Sequence, residues 1–215
     1  MGADRYPPRW LRALGWLGLA LLAACATVPR QASVPAAHDL SWVQRQSLLQ
    51  AVQGFALEGR LAAAVDGEGF NASLSWTQQG DRSELDLRAP LGFGAARVVR
   101  DPSGLTLEGS RGERFSGPAA DGQLAQRLGF EPPLDSLRWW VLGLADPAAG
   151  PAQPTLSADG RQLQSLQQAG WRLDYGEYAR FGQTPELSLL PRRLALTREG
   201  VRLRLVVDRW RLPLP

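Results

Sequence analysis

The chain has 215 residues, of which 44% are hydrophobic and 21% charged. That is enough for one domain with a sizeable core and too hydrophobic for a chain disordered throughout. All 24 basic residues are arginine and the formal net charge is +3; the arginine usage reads as a GC-rich coding bias rather than a demand for guanidinium chemistry. Arg5, Arg9 and Arg12 precede an apolar run from about Ala13 to Ala24, broken only by Gly15 and Gly18. This charge-then-apolar order is that of an export signal. The run makes about 18 Å of helix against a hydrocarbon core of about 30 Å, too short for a comfortable permanent span.

The run closes with Leu22-Ala23-Ala24-Cys25, and Cys25 is the only cysteine in the chain. These four residues resemble the lipobox of bacterial lipoproteins: small residues at 23 and 24 fit a narrow peptidase site, and the thiol at 25 can be alkylated by diacylglycerol. The alternative is an ordinary secretory signal followed by an incidental buried cysteine. Charge order, length and the solitary thiol agree on a lipoprotein, with residues 1–24 as its signal peptide. Their removal takes Arg5, Arg9, Arg12 and Asp4 away and leaves a net charge near +1, which gives no footprint for nucleic acid. Several acyl chains, at about 0.8 kcal/mol per buried CH₂, make attachment effectively stable where one chain is marginal. Ala26 follows the cysteine where an aspartate would resemble an inner-membrane retention signal. Proteobacterial sorting rules therefore point to the outer membrane, with the domain facing the periplasm.

Residues 25–40, with Pro29, Pro35 and many alanines, read as the lipidated cysteine and a flexible tether, and hold the sole histidine, His38. The domain occupies 41–215. Leu40, Val43, Leu48, Val52 and Phe55 recur at helical spacing, with Ser41 available as an N-cap. From Leu57 the period becomes two, first to Val65 and then, after a turn at Asp66-Gly67-Glu68-Gly69, from Phe70 to Trp76. Further strands are predicted over 84–88, 95–101, 105–109 and 113–116, an antiparallel meander. Two helical stretches, 121–128 and 133–144, interrupt it, with Asp121 and Asp135 near their starts. After a Pro/Ala/Gly loop over 146–154, strands resume at 162–167, 171–178, 193–197 and 201–210. The whole is a curved antiparallel sheet with about three helices, an α+β arrangement.

For an enzyme the inventory is poor. The sole histidine lies in the tether and the sole cysteine is consumed by lipidation, and no Gly-x-Ser-x-Gly elbow, Ser-x-x-Lys or phosphate loop is present. Glu84 and Asp86 share a strand face, a pattern far more common on a solvated sheet than in catalysis. A curved sheet under a helical lid can instead enclose a slot for hydrocarbon. Trp76, Trp140, Trp171 and Trp210, with Tyr175 and Tyr178, are candidates for its lining or mouth, or else they fill a core. The turn Ala89-Pro90-Leu91-Gly92-Phe93-Gly94 presents Leu91 and Phe93 where polar residues are usual, as a membrane or partner contact or as side chains folded back into the core.

From about Trp42 to Trp210 the domain resembles the LolB family of outer-membrane lipoprotein receptors. The resemblance rests on the order and spacing of several fragments. They are Gly59-Arg60-Leu61-Ala62, the strand ending in Trp76, Ala89-Pro90-Leu91-Gly92, Leu137 with Trp140 and Gly143, Gly170-Trp171 with Tyr175 and Tyr178, Leu190-Pro191, and Trp210. It implies an incomplete antiparallel β-barrel capped by helices, whose hydrophobic cavity accepts the acyl chains of client lipoproteins from the periplasmic carrier LolA and releases them into the outer membrane. The resemblance also implies that Leu91, with Pro90, Gly92 and Phe93 around it, promotes insertion into membrane lipid. It moves Trp76, Trp140, Trp171 and Tyr175 toward the cavity. The protein is expected to be a monomer, with no metal and no cofactor beyond the diacylglycerol and N-acyl lipid on Cys25. The competing readings are an anchored module for free lipid or glycolipid and an envelope scaffold lipoprotein.

Overall fold

Short turns between stretches of period two bring antiparallel neighbours together before any longer connection can form, so consecutive strands pair. A computed structural model describes residues 40–89, 94–181 and 185–212. Cys25, the tether to residue 39, and Pro90, Leu91, Gly92 and Phe93 lie outside the described residues. The strands are β1 (Gly54–Val65), β2 (Glu68–Gln79), β3 (Arg82–Arg88), β4 (Ala95–Asp101), β5 (Gly104–Gly109), β6 (Arg114–Ser116), β7 (Ala152–Leu156), β8 (Leu163–Gln168), β9 (Trp171–Arg180), β10 (Leu189–Arg198) and β11 (Val201–Arg211). They form one antiparallel sheet in the order β6-β5-β4-β3-β2-β1-β11-β10-β9-β8-β7. The pairing of β1 with β11 joins two meanders, and among the described residues β6 and β7 are left as free edges, so the barrel is incomplete. Helices α2 (Pro118–Leu128) and α3 (Leu134–Trp140) lie in the segment that runs from one free edge to the other, while α1 (Trp42–Gln50) precedes the sheet.

The alternation is visible in the burial. Val201, Leu203, Leu205 and Val207 of β11 are buried and Arg202 and Arg204 point to solvent. These inward residues join those of the other strands and of α2 and α3 in one core. Several predicted boundaries move for physical reasons. The first helix ends at Gln50 rather than Phe55, because Phe55 is drawn into β1 and is 2% exposed there. Asp66 and Gly67 alone make the first hairpin turn, both with positive φ (47° and 92°), so Glu68 and Gly69 already belong to β2. The second lid helix stops at Trp140, and Gly143 takes φ 79° in the turn that follows. The loop expected over 146–154 gives way at Ala152 to β7, an edge strand where Pro154 removes no needed ladder donor. A four-residue helix, α4 (Pro185–Ser188), has no counterpart in the sequence reading.

Helix α1 opens with a capping box: the Gln44 N–H donates to Ser41 Oγ (3.3 Å) and the Ser41 N–H donates to Gln44 Oε1 (2.9 Å). Its inner face is fixed by polar bonds. Trp42 Nε1 donates to the Gly143 carbonyl (3.1 Å), and the buried Arg45 donates to the Arg161 carbonyl (2.7 Å) with its guanidinium 6.0 Å from the centre of the Tyr178 ring. Burial pulls Arg45 below the usual arginine pKa.

Gly59 and Arg60 mark the seam of the two meanders. The register of β1 against β11 slips between Glu58, opposite Arg209, and Gly59, opposite Val207, so Asp208 is an extra residue on β11. Arg60 holds that residue with two bonds, Nε to Oδ2 (3.2 Å) and NH2 to Oδ1 (2.9 Å). A Cβ at Gly59 would collide with the Val206 carbonyl oxygen, whereas one at Gly122, inside α2, would meet nothing within 4 Å. Gly59→Ala should therefore destabilise the protein by about 1–3 kcal/mol in urea unfolding, and Gly122→Ala should stabilise it by up to about 1 kcal/mol. Equal effects at the two positions would contradict the close seam.

Candidate functional site

Between the dry face of the sheet and the two lid helices the side chains meet around a cavity of about 80 Å³. Its sheet wall comes from β1 to β4 and from β10 and β11, with Ala63, Leu74, Leu85, Leu194, Leu203 and Leu205 among the residues that shape it. The roof is Leu124 and Leu128 of α2, then Phe130 and Pro132, then Leu134 and Leu137 of α3. Ala120, Leu124 and Leu128 fall at i, i+4 and i+8, one stripe of the helix. Gly129, at φ 77°, ends α2 in the left-handed conformation and turns the chain toward α3. Every described residue of the lining is hydrophobic or proline, so among the described residues the site offers no acid, base or nucleophile, and what it can do is hold hydrocarbon.

A groove of about 490 Å³ adjoins this cavity, and Phe70, Leu87, Leu124 and Leu128 line both. Phe70 is 36% exposed, so the cavity reaches the surface at its end. The groove reaches Ala89 and Gly94, the two residues that flank Pro90–Phe93. Arg111, Glu113 and Arg127 lie along its polar side; Arg127 NH2 bonds Glu113 Oε1 (3.1 Å), and its guanidinium stands 5.8 Å from the centre of the Phe115 ring.

Of the aromatic residues expected at the cavity, Trp76 stands in its wall. Trp140, Trp171 and Tyr175 do not line it, because their polar edges and faces are held elsewhere. Trp140 Nε1 donates to Gln168 Oε1 (2.9 Å), and the Tyr175 hydroxyl donates to the Trp140 carbonyl (2.9 Å). Gln168 is itself buried and completes the cluster: its Oε1 also accepts from the Asp146 N–H (2.9 Å), and its Nε2 donates to the carbonyls of Asp146 (2.7 Å) and Gly150 (3.0 Å). Ser136 Oγ donates to Asp146 Oδ2 (2.6 Å). This satisfied network fastens the end of α3 to β8 and β9. Burial raises the phenol pKa of both Tyr175 and Tyr178 well above the usual value, which keeps them neutral donors; Tyr178 donates to the Leu163 carbonyl (3.0 Å). Trp171 packs edge-on against Phe130 (6.2 Å) with the Arg198 guanidinium 4.6 Å from the centre of its ring. Trp210 donates to the Pro191 carbonyl (3.1 Å).

The residues that sequence reasoning missed are the aliphatic ones. Leu85, Leu194, Leu203 and Leu205 announce a dry strand face by their alternation, and nothing in that signal separates a cavity wall from a filled core. Glu84, considered for acid chemistry with Asp86, is ion-paired to Arg82 and Arg97 on the outer surface.

A protein-family model described as Outer membrane lipoprotein LolB matches residues 53–210. The outer-membrane lipoprotein LolB of Nitrosococcus oceani is 35% identical over 205 residues, covering 95% of this chain and 99% of that protein. Its counterpart in Alkalilimnicola ehrlichii is 34% identical over 196 residues, covering 91% and 94%. Among solved structures, a DUF1329 family protein from Desulfovibrio piger superposes with a TM-score of 0.51 at 8% identity, over 80% of this chain and 91% of that one, a likeness of fold alone.

Ala63 has 5% exposure and faces the void. Ala63→Leu should fill part of it, raising stability by about 0.5–2 kcal/mol in urea unfolding, and should weaken binding of a fluorescent apolar probe. Undiminished probe binding by a stabilised variant would place the hydrocarbon site elsewhere.

Proposed function

The chain belongs to the LolB family of outer-membrane lipoproteins, and from that premise we propose that it is a receptor that accepts lipoproteins from the periplasmic carrier LolA and delivers them into the outer membrane. The observation that carries this reading is the wholly apolar cavity between the sheet and the α2–α3 lid. Acyl chains need an enclosure without polar competition and no catalytic group, and the lining has that character. As it stands the cavity, at about 80 Å³, is well below the roughly 300–1,000 Å³ of ordinary ligand sites. Uptake therefore parts the lid from the sheet, and the chains enter by way of the groove that shares Phe70, Leu87, Leu124 and Leu128 with the cavity.

In this proposal Cys25 carries the diacylglycerol and N-acyl lipid that anchor the protein, residues 1–24 are its signal peptide, residues 25–40 are the tether, and the receptor acts as a monomer. Transfer needs no nucleotide. Each step is driven by the next environment burying the same acyl chains better, from carrier to receptor to bilayer. Leu91, in the segment between Ala89 and Gly94, which both line the groove, dips into the membrane surface and brings the loaded cavity next to lipid.

Leu91→Glu separates the two halves of this cycle. The variant should unfold in urea at the wild-type midpoint and take labelled lipoprotein from LolA as the wild type does, while transfer from the receptor into outer-membrane lipid vesicles falls at least about tenfold, the cost of pushing one carboxylate toward hydrocarbon. Loss of acceptance together with stability would give Leu91 a structural role and remove it from delivery.

A further inference from the structure

The apolar cavity has a floor. From Phe70 at the open end, the wall along β2 runs to Trp76, six residues on, or about 20 Å at the rise of an antiparallel strand. Trp76 is 2% exposed, and behind it stands Phe55, edge to face at 5.4 Å; Trp210 braces Phe55 in turn at 5.3 Å. Beyond this aromatic partition lies a second pocket, of about 150 Å³, lined by Phe55, Gln78, Arg138 and Leu142 among others. Phe55 thus contacts Trp76 on one side and faces the outer pocket on the other. Neighbouring residues on the turn after α3 divide in the same way, Val141 lining the cavity and Leu142 the outer pocket.

Past the partition the surroundings turn polar. Gln78 Nε2 donates to the Gly80 carbonyl (2.8 Å), Ser83 bonds to Gln78 Oε1, and Arg138 donates to Gly80 O (3.1 Å) and Asp81 Oδ1 (2.7 Å). Hydrocarbon that passed Trp76 would meet these groups. Trp76 closes the cavity through bulk and not through a bond: its buried Nε1 has no hydrogen-bond partner among the described residues, in contrast to those of Trp140 and Trp210.

We infer that Trp76, backed by Phe55, is the specificity-determining residue that sets how long an acyl chain the cavity admits. The inference rests on the reading of the cavity as an acyl-chain site. A chain that ends short of Trp76 gains affinity with every added methylene, and one that reaches the indole gains no more, because further methylenes stay outside or press on the partition.

The test uses the mature chain with Cys25→Ala, so that no acyl group of its own competes, and saturated fatty acids of stepwise increasing length that displace a fluorescent fatty acid. In the wild type, affinity should rise about fourfold per methylene and then level off. In Trp76→Ala the rise should continue past the wild-type plateau until the chain meets Phe55. Trp76→Leu should give an intermediate plateau and retain stability if the alanine variant unfolds. Trp76→Phe, which removes only the unbonded N–H and part of the ring, should stay close to wild type. A plateau at the same length in wild type, Trp76→Leu and Trp76→Ala would overturn the ruler and leave the cavity reading intact. No binding at any length by folded wild-type protein would overturn both.

Discussion

The inward side chains of β1 to β4 and of β10 and β11 must be covered, because a sheet that does not close on itself leaves its dry face to water unless another layer packs on it. The chain covers that face with the segment between its two free edges, α2 and α3. The cover is incomplete: leucines of sheet and lid meet around a void of about 80 Å³. Contacts of this kind are non-directional and roughly proportional to area, so the same surfaces can be satisfied by hydrocarbon from outside. A core tied together by hydrogen bonds would not exchange partners so readily.

Directional bonds are present, but they sit away from the cavity. The Gln168–Asp146 network with Trp140, Tyr175 and Ser136 holds the C-terminal end of α3, and Trp42 ties α1 to the turn after it. On the other flank α2 enters through Gly117 and leaves through Gly129, both with positive φ and neither with a side chain to lock the turn. The polar scaffold and the apolar site thus occupy different parts of one small fold. The seam at Gly59, where β11 bulges against β1, joins the two meanders without spending inward side chains on the joint.

Much of this was legible in the residues. Period-two runs located most strands to within a few positions, because one buried face leaves its mark on every second residue. Ser41, read as an available N-cap, does cap α1, and the structure adds Gln44 as its partner in a capping box. The limits were equally physical. Phe55 fits both a helical stripe and a strand, and only the pairing of β1 with β2 and β11 decides between them. β7 is short, carries Pro154 and has an exposed pattern, so it has no signal apart from its partner β8. At the site, large aromatic residues drew attention as lining, yet three of the four expected there stand outside the cavity, held by hydrogen bonds or by a ring contact with its roof, and its wall is chiefly leucine. Whether apolar residues enclose space or fill it depends on distances between strands and helices far apart in sequence, which periodicity does not record.

The central claim is that the space under the lid receives acyl chains handed over by a carrier. The most direct measurement mixes the mature protein with LolA loaded with a labelled lipoprotein, without nucleotide or vesicles, and follows which protein holds the label. The account predicts that the label moves to this chain and that Ala63→Leu, which fills part of the cavity, retains less of it. A label that stays on the carrier while this protein is folded, or that moves equally well to the filled variant, would contradict it.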